Sequence, residues 1–214
     1  MNYIGIDIGA SKYFVCQYLS GNRKIKPDKF TDQQTLCQFI AESTKSIIAI
    51  DSPSDYCKEN CERRKCEIDL GIVGYYATPR KNGQVKEWMI SGIELFRFLK
   101  KQGFILASSK KRGSLIEVHP TLIFKKAFNQ GIPPKQWINQ TNPTGKRTPL
   151  GIKQRRDFLI KRFPSQERLI HTLSHDYIDA LIAAYAADCY HKAKGKAKDL
   201  LIGDPNEGQM FFPN

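Results

Sequence analysis

YIGIDIGASKYFVCQYL, residues 3–19, reads as a β-hairpin whose first strand ends on an acid. Apolar residues run from 3 to 8, Gly9, Ala10 and Ser11 supply a tight turn, and a second strand follows over 13–19. Residues 23–30, after Gly21 and Asn22, suit a third, shorter strand, and residues 31–44 show helical spacing at Leu36, Phe39 and Ile40, with Thr31 as the expected N-cap. IIAID, residues 47–51, then repeats the pattern of YIGID. It is a continuous apolar run, as in a strand buried on both faces, and it delivers an Asp before Ser52 and Pro53 stop it. Open α/β sheets take ligands outside the carboxyl ends of their strands, which is where Asp7 and Asp51 would lie.

The rest of the chain extends this α/β pattern. Residues 54–112 read as an inserted helix and loop segment, with a helix over 90–102 that buries Ile93, Phe96, Leu99 and the Trp88 ring. A strand over 115–118 carries Glu117, a helix follows over 121–128, and a Gly-, Pro- and Asn-rich loop fills 129–149. Helices over about 150–163 and 175–193 and a short strand over 200–202 complete the reading. A length of 214 residues suits one domain, 1–214, and the chain shows no internal repeat. Hydrophobic content of 41% with 26% charged residues is ordinary for a soluble protein, and no stretch reaches the roughly 18 apolar residues of a membrane span. The opening MNYIGIDIGA has no basic region before its apolar run, so the cytoplasm is the expected location.

HDYIDALIAA, residues 175–184, sets two carboxylates three residues apart at the start of the last long helix. Asp176 behind Ser174 can be an ordinary first-turn acid that complements the helix dipole. Asp179 lies past the first turn, on the face of Asp176 and in line with Ala183 and Ala187, with Ile182 and Ala186 beside them. That face predicts a buried stripe whose small residues let the helix lie close to its neighbour. Capping and a site role are both open for the pair.

Charge points to a partner. Of the net charge of +13, the whole surplus lies between residues 100 and 170, with sixteen Lys and Arg against three acids, while the remainder of the chain is balanced. Lys110, Lys111, Arg112, Lys146, Arg147, Lys153, Arg155 and Arg156 form the densest clusters. Such a segment is the footprint of a polyanion partner, DNA or RNA, although solubility alone also accounts for it. Lys12, after the hairpin turn, can contact phosphate or simply face solvent. If Asp7, Asp51, Asp176 and Asp179 converge, their mutual repulsion demands compensation, since two unit charges 4 Å apart at an effective dielectric near 20 interact by about 4 kcal/mol. Divalent cations supply it, and all-oxygen ligation selects Mg²⁺ or Mn²⁺. Two such ions make the clamp used in phosphodiester hydrolysis.

Six cysteines are expected to be reduced and structural. Cys57, Cys61 and Cys66 in CKENCERRKC lack a fourth ligand at metal-site spacing, and Cys16, Cys37 and Cys189 read as core. His119, His171, His175 and His191 form no ligand spacing, and only His175, beside the acidic pair, is a candidate proton shuttle.

An Asp in a first strand followed by a hairpin, an Asp ending a later strand, and a late Asp-x-x-Asp-Ala-Leu helix resemble the RNase H-like superfamily, and HDYIDALIAA resembles the terminal motif of RuvC-type Holliday junction resolvases. In order, GIDIGASK, IAIDSP, RRKCE, GIELFRFLKKQGF, EVHP and HDYIDALIAA resemble the domain of unknown function 429 family, a group of predicted nucleases. The resemblance implies a mixed sheet of antiparallel hairpins and parallel strands flanked by helices. It implies metal-binding acids at Asp7, Asp51, Asp176 and Asp179, with Glu117 as a possible fifth catalytic acid. Arg64–Lys65–Cys66–Glu67 stands where many relatives carry Arg-x-Cys-Asp. The competing expectations are a non-catalytic nucleic-acid binder on the same scaffold and an actin-like ATPase or sugar kinase. The latter opens on a similar Asp-x-Gly hairpin but needs a second phosphate loop and a Gly-Gly adenosine motif, neither visible here.

Overall fold

The structure, a computed structural model, describes residues 1–9, 12–19, 24–43, 45–57, 61, 63–72, 86–108, 113–128 and 145–213. Lys110, Lys111 and Arg112 lie outside the described residues, as does most of the expected loop over 129–149.

Among the described residues, seven strands form one sheet: β1 (Asn2–Ile8), β2 (Tyr13–Leu19), β3 (Lys24–Phe30), β4 (Ser46–Asp51), β5 (Leu115–Glu117), β6 (Leu201–Ile202) and β7 (Met210–Phe211), in the spatial order β3-β2-β1-β4-β5-β7-β6. β1, β2 and β3 pair antiparallel, β4 and β5 run parallel to β1, and β7 runs parallel to β5 while pairing antiparallel with β6. The fold is α/β with an open mixed sheet, an arrangement consistent with the RNase H-like one that the motifs imply.

Helices cover both faces: α1 (Gln33–Glu42), α2 (Lys65–Asp69), α3 (Glu87–Lys101), α4 (Pro120–Phe128), α5 (Pro149–Ile160), α6 (Glu167–Thr172) and α7 (His175–Ala193). The pleat sorts the strand residues between them. Ile4, Ile6, Ile8, Ile48 and Ile50 pack with Leu36 and Ile40 of α1 and Leu95, Phe96 and Leu99 of α3. Tyr3, Ile47 and Ala49 turn the other way, into a core built from α4, α5, α6 and α7. β1 and β4 are therefore buried on both faces, which is why they read as unbroken apolar runs.

Several boundaries differ from the sequence reading. The first helix is capped by Asp32, not Thr31, because the Asp32 carboxylate accepts from the Thr35 amide at 2.7 Å. α2 and α6 are short, and β7 is two residues long, so none leaves a periodic signal. α7 spans the expected residues, yet it is not a single buried stripe. Ile178 to Ala184 are all buried, together with Ala186, Ala187, Asp188 and Tyr190, because α7 packs against β1, β2 and β4 of the sheet and against α4 and α5 as well.

Gly5 sets how close α7 comes. A Cβ there would collide with the Ala180 carbonyl oxygen and the Ala184 amide nitrogen, both backbone atoms that no rotamer change can move. The alanine-rich helix thus rests on the β1 backbone, and Asp179 is brought down beside Asp7 two residues along the strand. Gly5→Ala is expected to lose about 1–3 kcal/mol in a denaturant melt, the usual penalty for overpacking, because the whole helix must lift.

Candidate metal centre

The pleat that sends Ile4 and Ile6 toward α3 sends Gly5 and Asp7 toward α7. Parallel pairing places Asp51 directly beside Asp7, on the same face. α7 contributes Asp179 from above. The carboxylates of Asp7, Asp51 and Asp179 each offer an oxygen, and these atoms lie within 4.8 Å of one another. Among the described residues this is the one grouping of His, Cys, Asp and Glu with the spacing of a metal site.

Burial makes the grouping electrostatically costly. Asp7 is 7% exposed and Asp179 is fully buried. The Asp7 carboxyl is held well above the usual carboxylate range, first by burial and then by the charges of Asp51 and Asp179, with Lys146 acting in the opposite sense and Asp176 adding a smaller upward push. One oxygen of Asp179, Oδ1, is buried without a hydrogen-bond partner among the described groups. A buried carboxylate oxygen left without a partner calls for an explanation, and an ion or a water is what could supply it.

Lys146 provides a compensating charge by direct contact, and the buried Arg155 guanidinium also feels Asp179 and Asp51 through space. Lys146 Nζ donates to Asp179 Oδ2 at 2.7 Å. Burial works to lower the ammonium's pKa, but Asp179 and Asp51 outweigh it and the net direction is upward. The turn before α5 delivers it: the Thr148 amide and hydroxyl both donate to the Gly145 carbonyl at 2.9 Å, and the Thr148 hydroxyl caps the helix by accepting from the Gly151 amide. The charge pattern alone makes Lys146 a nucleic-acid contact, and nothing in its local sequence shows that it reaches a carboxylate on α7.

Asp176, expected among the ligands, stands at the margin. It is partly exposed and lies 2.9 Å from His175 Nε2, outside the three-carboxylate set. Ser174 occupies the N-cap position without making a side-chain cap bond. His119 Nδ1 lies 4.0 Å from Asp51 Oδ1, and burial, followed by the charges of Lys146, Lys125 and Arg155, pushes its pKa down to about 3. The imidazole beside Asp51 is therefore neutral. Motif and spacing assign this histidine no role.

Glu117 is placed elsewhere. It pairs in register with Ile50, not Asp51, so the pleat turns its side chain to the opposite face of the sheet. There Arg64 takes both of its oxygens, with Nη1 donating to Oε2 at 2.9 Å and Nη2 to Oε1 at 2.6 Å, while the Ser54 amide donates to Oε2 at 2.8 Å. Glu67 completes the network by accepting from the Arg64 amide and Nε, both at 3.0 Å. Arg64, Glu67 and Glu117 are all fully buried. Burial pushes the Glu67 carboxyl up to about 7 against the pull of Arg64. The network ties the loop after β4 to β5, and Gly208, at φ +89°, lies against it so closely that a Cβ would strike Ser54 Oγ. Arg64 and Glu67 are thus a structural pair, for which RRKCE is the only sequence signal.

The basic clusters divide. Lys12, Arg147 and Lys153 are exposed, and Lys153 also pairs with Asp157 at 2.9 Å. Arg155, expected to contact nucleic acid, is 3% exposed and stacks its guanidinium 4.6 Å from the centre of the Phe124 ring. It lies inside because Gly151, Arg155, Phe158 and Leu159 form the buried face of α5, a helical spacing that outranks membership of a charge cluster. Arg156 is partly buried and donates to the Leu173 carbonyl at 2.7 Å, which docks α5 against the segment before α7. The cysteines are free thiols. Cys16, Cys37, Cys57 and Cys66 are buried, Cys189 is partly so, and Cys61 is exposed. No helix among the described residues is long and apolar enough to cross a membrane.

The model of the family described as Protein of unknown function (DUF429) matches residues 5–207, which span β1 to the segment before β7. No curated protein and no solved structure matches the chain.

Proposed function

We propose that the chain, which belongs to the Protein of unknown function (DUF429) family, is a metal-dependent nuclease, hydrolysing phosphodiester bonds of DNA or RNA at Asp7, Asp51 and Asp179. The observation that carries the reading is the convergence of three carboxylates at the carboxyl edge of β1 and β4, with a buried oxygen of Asp179 left open. The donor set fits Mg²⁺ or Mn²⁺: it is all oxygen, and bonds of about 2.1 Å put ligands of one ion up to about 4.2 Å apart, within a small adjustment of the observed spacing. Three acids suffice to share one ion, and Asp176 at the rim is the residue available to a second. Bound there, such ions supply an activated water and charge stabilisation of the leaving oxygen. The chain's own residues do the rest. Asp7 and Asp51, fixed by paired strands, and Asp179, pressed down by the contact of α7 with Gly5, set the position of the reacting phosphate. The exposed Lys12, Arg147 and Lys153 hold the polyanion.

Labelled single- and double-stranded DNA and RNA, incubated with Mg²⁺ or Mn²⁺, test the proposal. The protein should cut at least one of them, and Asp51→Asn should not. Binding without cleavage under every condition would favour a non-catalytic nucleic-acid binder instead. The binding surface has its own test. Replacing Lys12, Arg147 and Lys153 together by Gln should flatten the slope of log K against log salt by about 0.9 for each duplex phosphate that is no longer neutralised. An unchanged slope would move the interface elsewhere.

A further inference from the structure

We propose that Lys146 is an internal counter-ion of the carboxylate cluster: its ammonium holds Asp179 in the metal-free protein, competes with the divalent cation, and is released toward solvent and substrate when the cation enters. The inference rests on reading Asp7, Asp51 and Asp179 as a cation site.

The geometry is specific. Lys146 Nζ sits 2.7 Å from Asp179 Oδ2, and the side chains differ in access, Asp179 being 1% exposed and Lys146 36%. The carboxylate is buried on α7, a helix packed against the sheet, α4 and α5, and has little freedom to follow a departing partner. The ammonium is at the end of a flexible four-carbon stem that starts from a turn and is already partly exposed to solvent. Asp179 Oδ1, buried and without a hydrogen-bond partner among the described groups, is the oxygen left to an incoming ion. An ion held there beside Asp7 and Asp51 lies close to Nζ, and like charges at such separations repel whichever oxygen carries the bond. Metal entry therefore weakens the hold on Lys146 and frees a cation at the mouth of the site, where a phosphate group would be bound. Arg147, the next residue, is exposed and lies on the same turn, so the released lysine joins a basic surface already in place. Loading of the metal and affinity for the phosphate backbone would then be coupled through one side chain.

Mn²⁺ alone is the probe, titrated calorimetrically at pH 8 into the parent, Lys146→Met and Lys146→Arg. Lys146→Met should bind Mn²⁺ about tenfold more tightly or better, because the competing charge is gone, while Lys146→Arg should stay near the parent. Equal or weaker binding by Lys146→Met, with the parent binding normally, would overturn the proposal. If no variant binds Mn²⁺ at all, the carboxylates are not a cation site, and the functional reading falls together with this one. Should Lys146→Met fail to fold without metal, reductive methylation of the parent, read by mass spectrometry at Lys146, decides the matter. Methylation of Nζ should be slow in the metal-free protein and accelerate severalfold when Mn²⁺ is added. A rate that ignores bound Mn²⁺ would show that the Lys146 and Asp179 pair is permanent.

Discussion

Asp7→Asn is expected to abolish cleavage and the thermal response to Mn²⁺, and at the same time to leave the metal-free protein at least as stable as the parent at pH 7. The two halves have one cause. Asp7 is buried beside Asp51 and Asp179, and its carboxyl is held well above the usual range by burial first and by those charges second. A carboxyl whose pKa is raised by folding binds its proton more tightly in the folded state. Its contribution to stability is present at low pH and is lost as pH rises from the ordinary value near 3.9 through the raised one. The metal-free parent should therefore lose stability across that window, and the Asn variant should lose less. The metal reverses the order. A ligand at 100 times its dissociation constant stabilises the folded state by about 2.7 kcal/mol, and Asp7→Asn should forfeit that gain because a charged oxygen ligand is missing. Melts from pH 4 to 8, with and without Mn²⁺, make the comparison. A variant that melts lower than the parent and keeps its full Mn²⁺ response would show that Asp7 serves the fold and not a metal. Asp179→Asn should behave differently, since it also removes the partner of Lys146 and so gains little in the metal-free state.

Glu117→Ala should have the largest effect on stability, about 3–5 kcal/mol, while leaving Mn²⁺ affinity intact in whatever protein remains folded. The bidentate bond from Arg64 is the reason. Removing Glu117 leaves a fully buried guanidinium with only Glu67 to answer it and exposes the Ser54 amide to the same deficit. A loss of that size is a large fraction of the 5–15 kcal/mol by which domains are normally stable. Arg64→Met should cost a comparable amount by stranding two carboxylates. The double variant Arg64→Met with Glu117→Gln should recover part of the loss, because one buried carboxylate, Glu67, is then left without Arg64 in place of two. If Glu117→Ala instead proved stable and lost its Mn²⁺ response, Glu117 would be a ligand, the possible fifth acid of the family resemblance, and not an anchor for Arg64.

These two variants mark where local sequence stops being informative. Asp7 and Asp51 were legible because a strand buried on both faces writes its burial into consecutive residues, and an acid ending such a run stands out against it. The spacing of Asp179 from the alanines of α7 was legible for the same reason: helical periodicity repeats every few residues and can be counted. Glu117 looked equivalent, yet its face depends on which residue of β4 it meets. A shift of one position in that register exchanges the two sides of the sheet. No property of LIEV at 115–118 specifies the pairing partner. Arg155 shows the opposite failure, in that charge counting hid a periodicity that was present, Gly151, Arg155, Phe158 and Leu159 along one face of α5.

The amino-acid sequence by itself determined the alternation of strands and helices, the acids at the ends of β1 and β4, and the small-residue helix able to approach them, since each is set by neighbours within a few positions. Only the tertiary structure decided which acids meet and which cations answer them. Asp179 reaches Asp7 through a backbone contact between Gly5 and Ala180. Arg64 reaches Glu117 across 53 positions, and Lys146 reaches Asp179 across 33. Charges interact through space, while periodicity runs along the chain, so the pairing of buried acids with buried bases becomes defined only when packing has brought distant segments together.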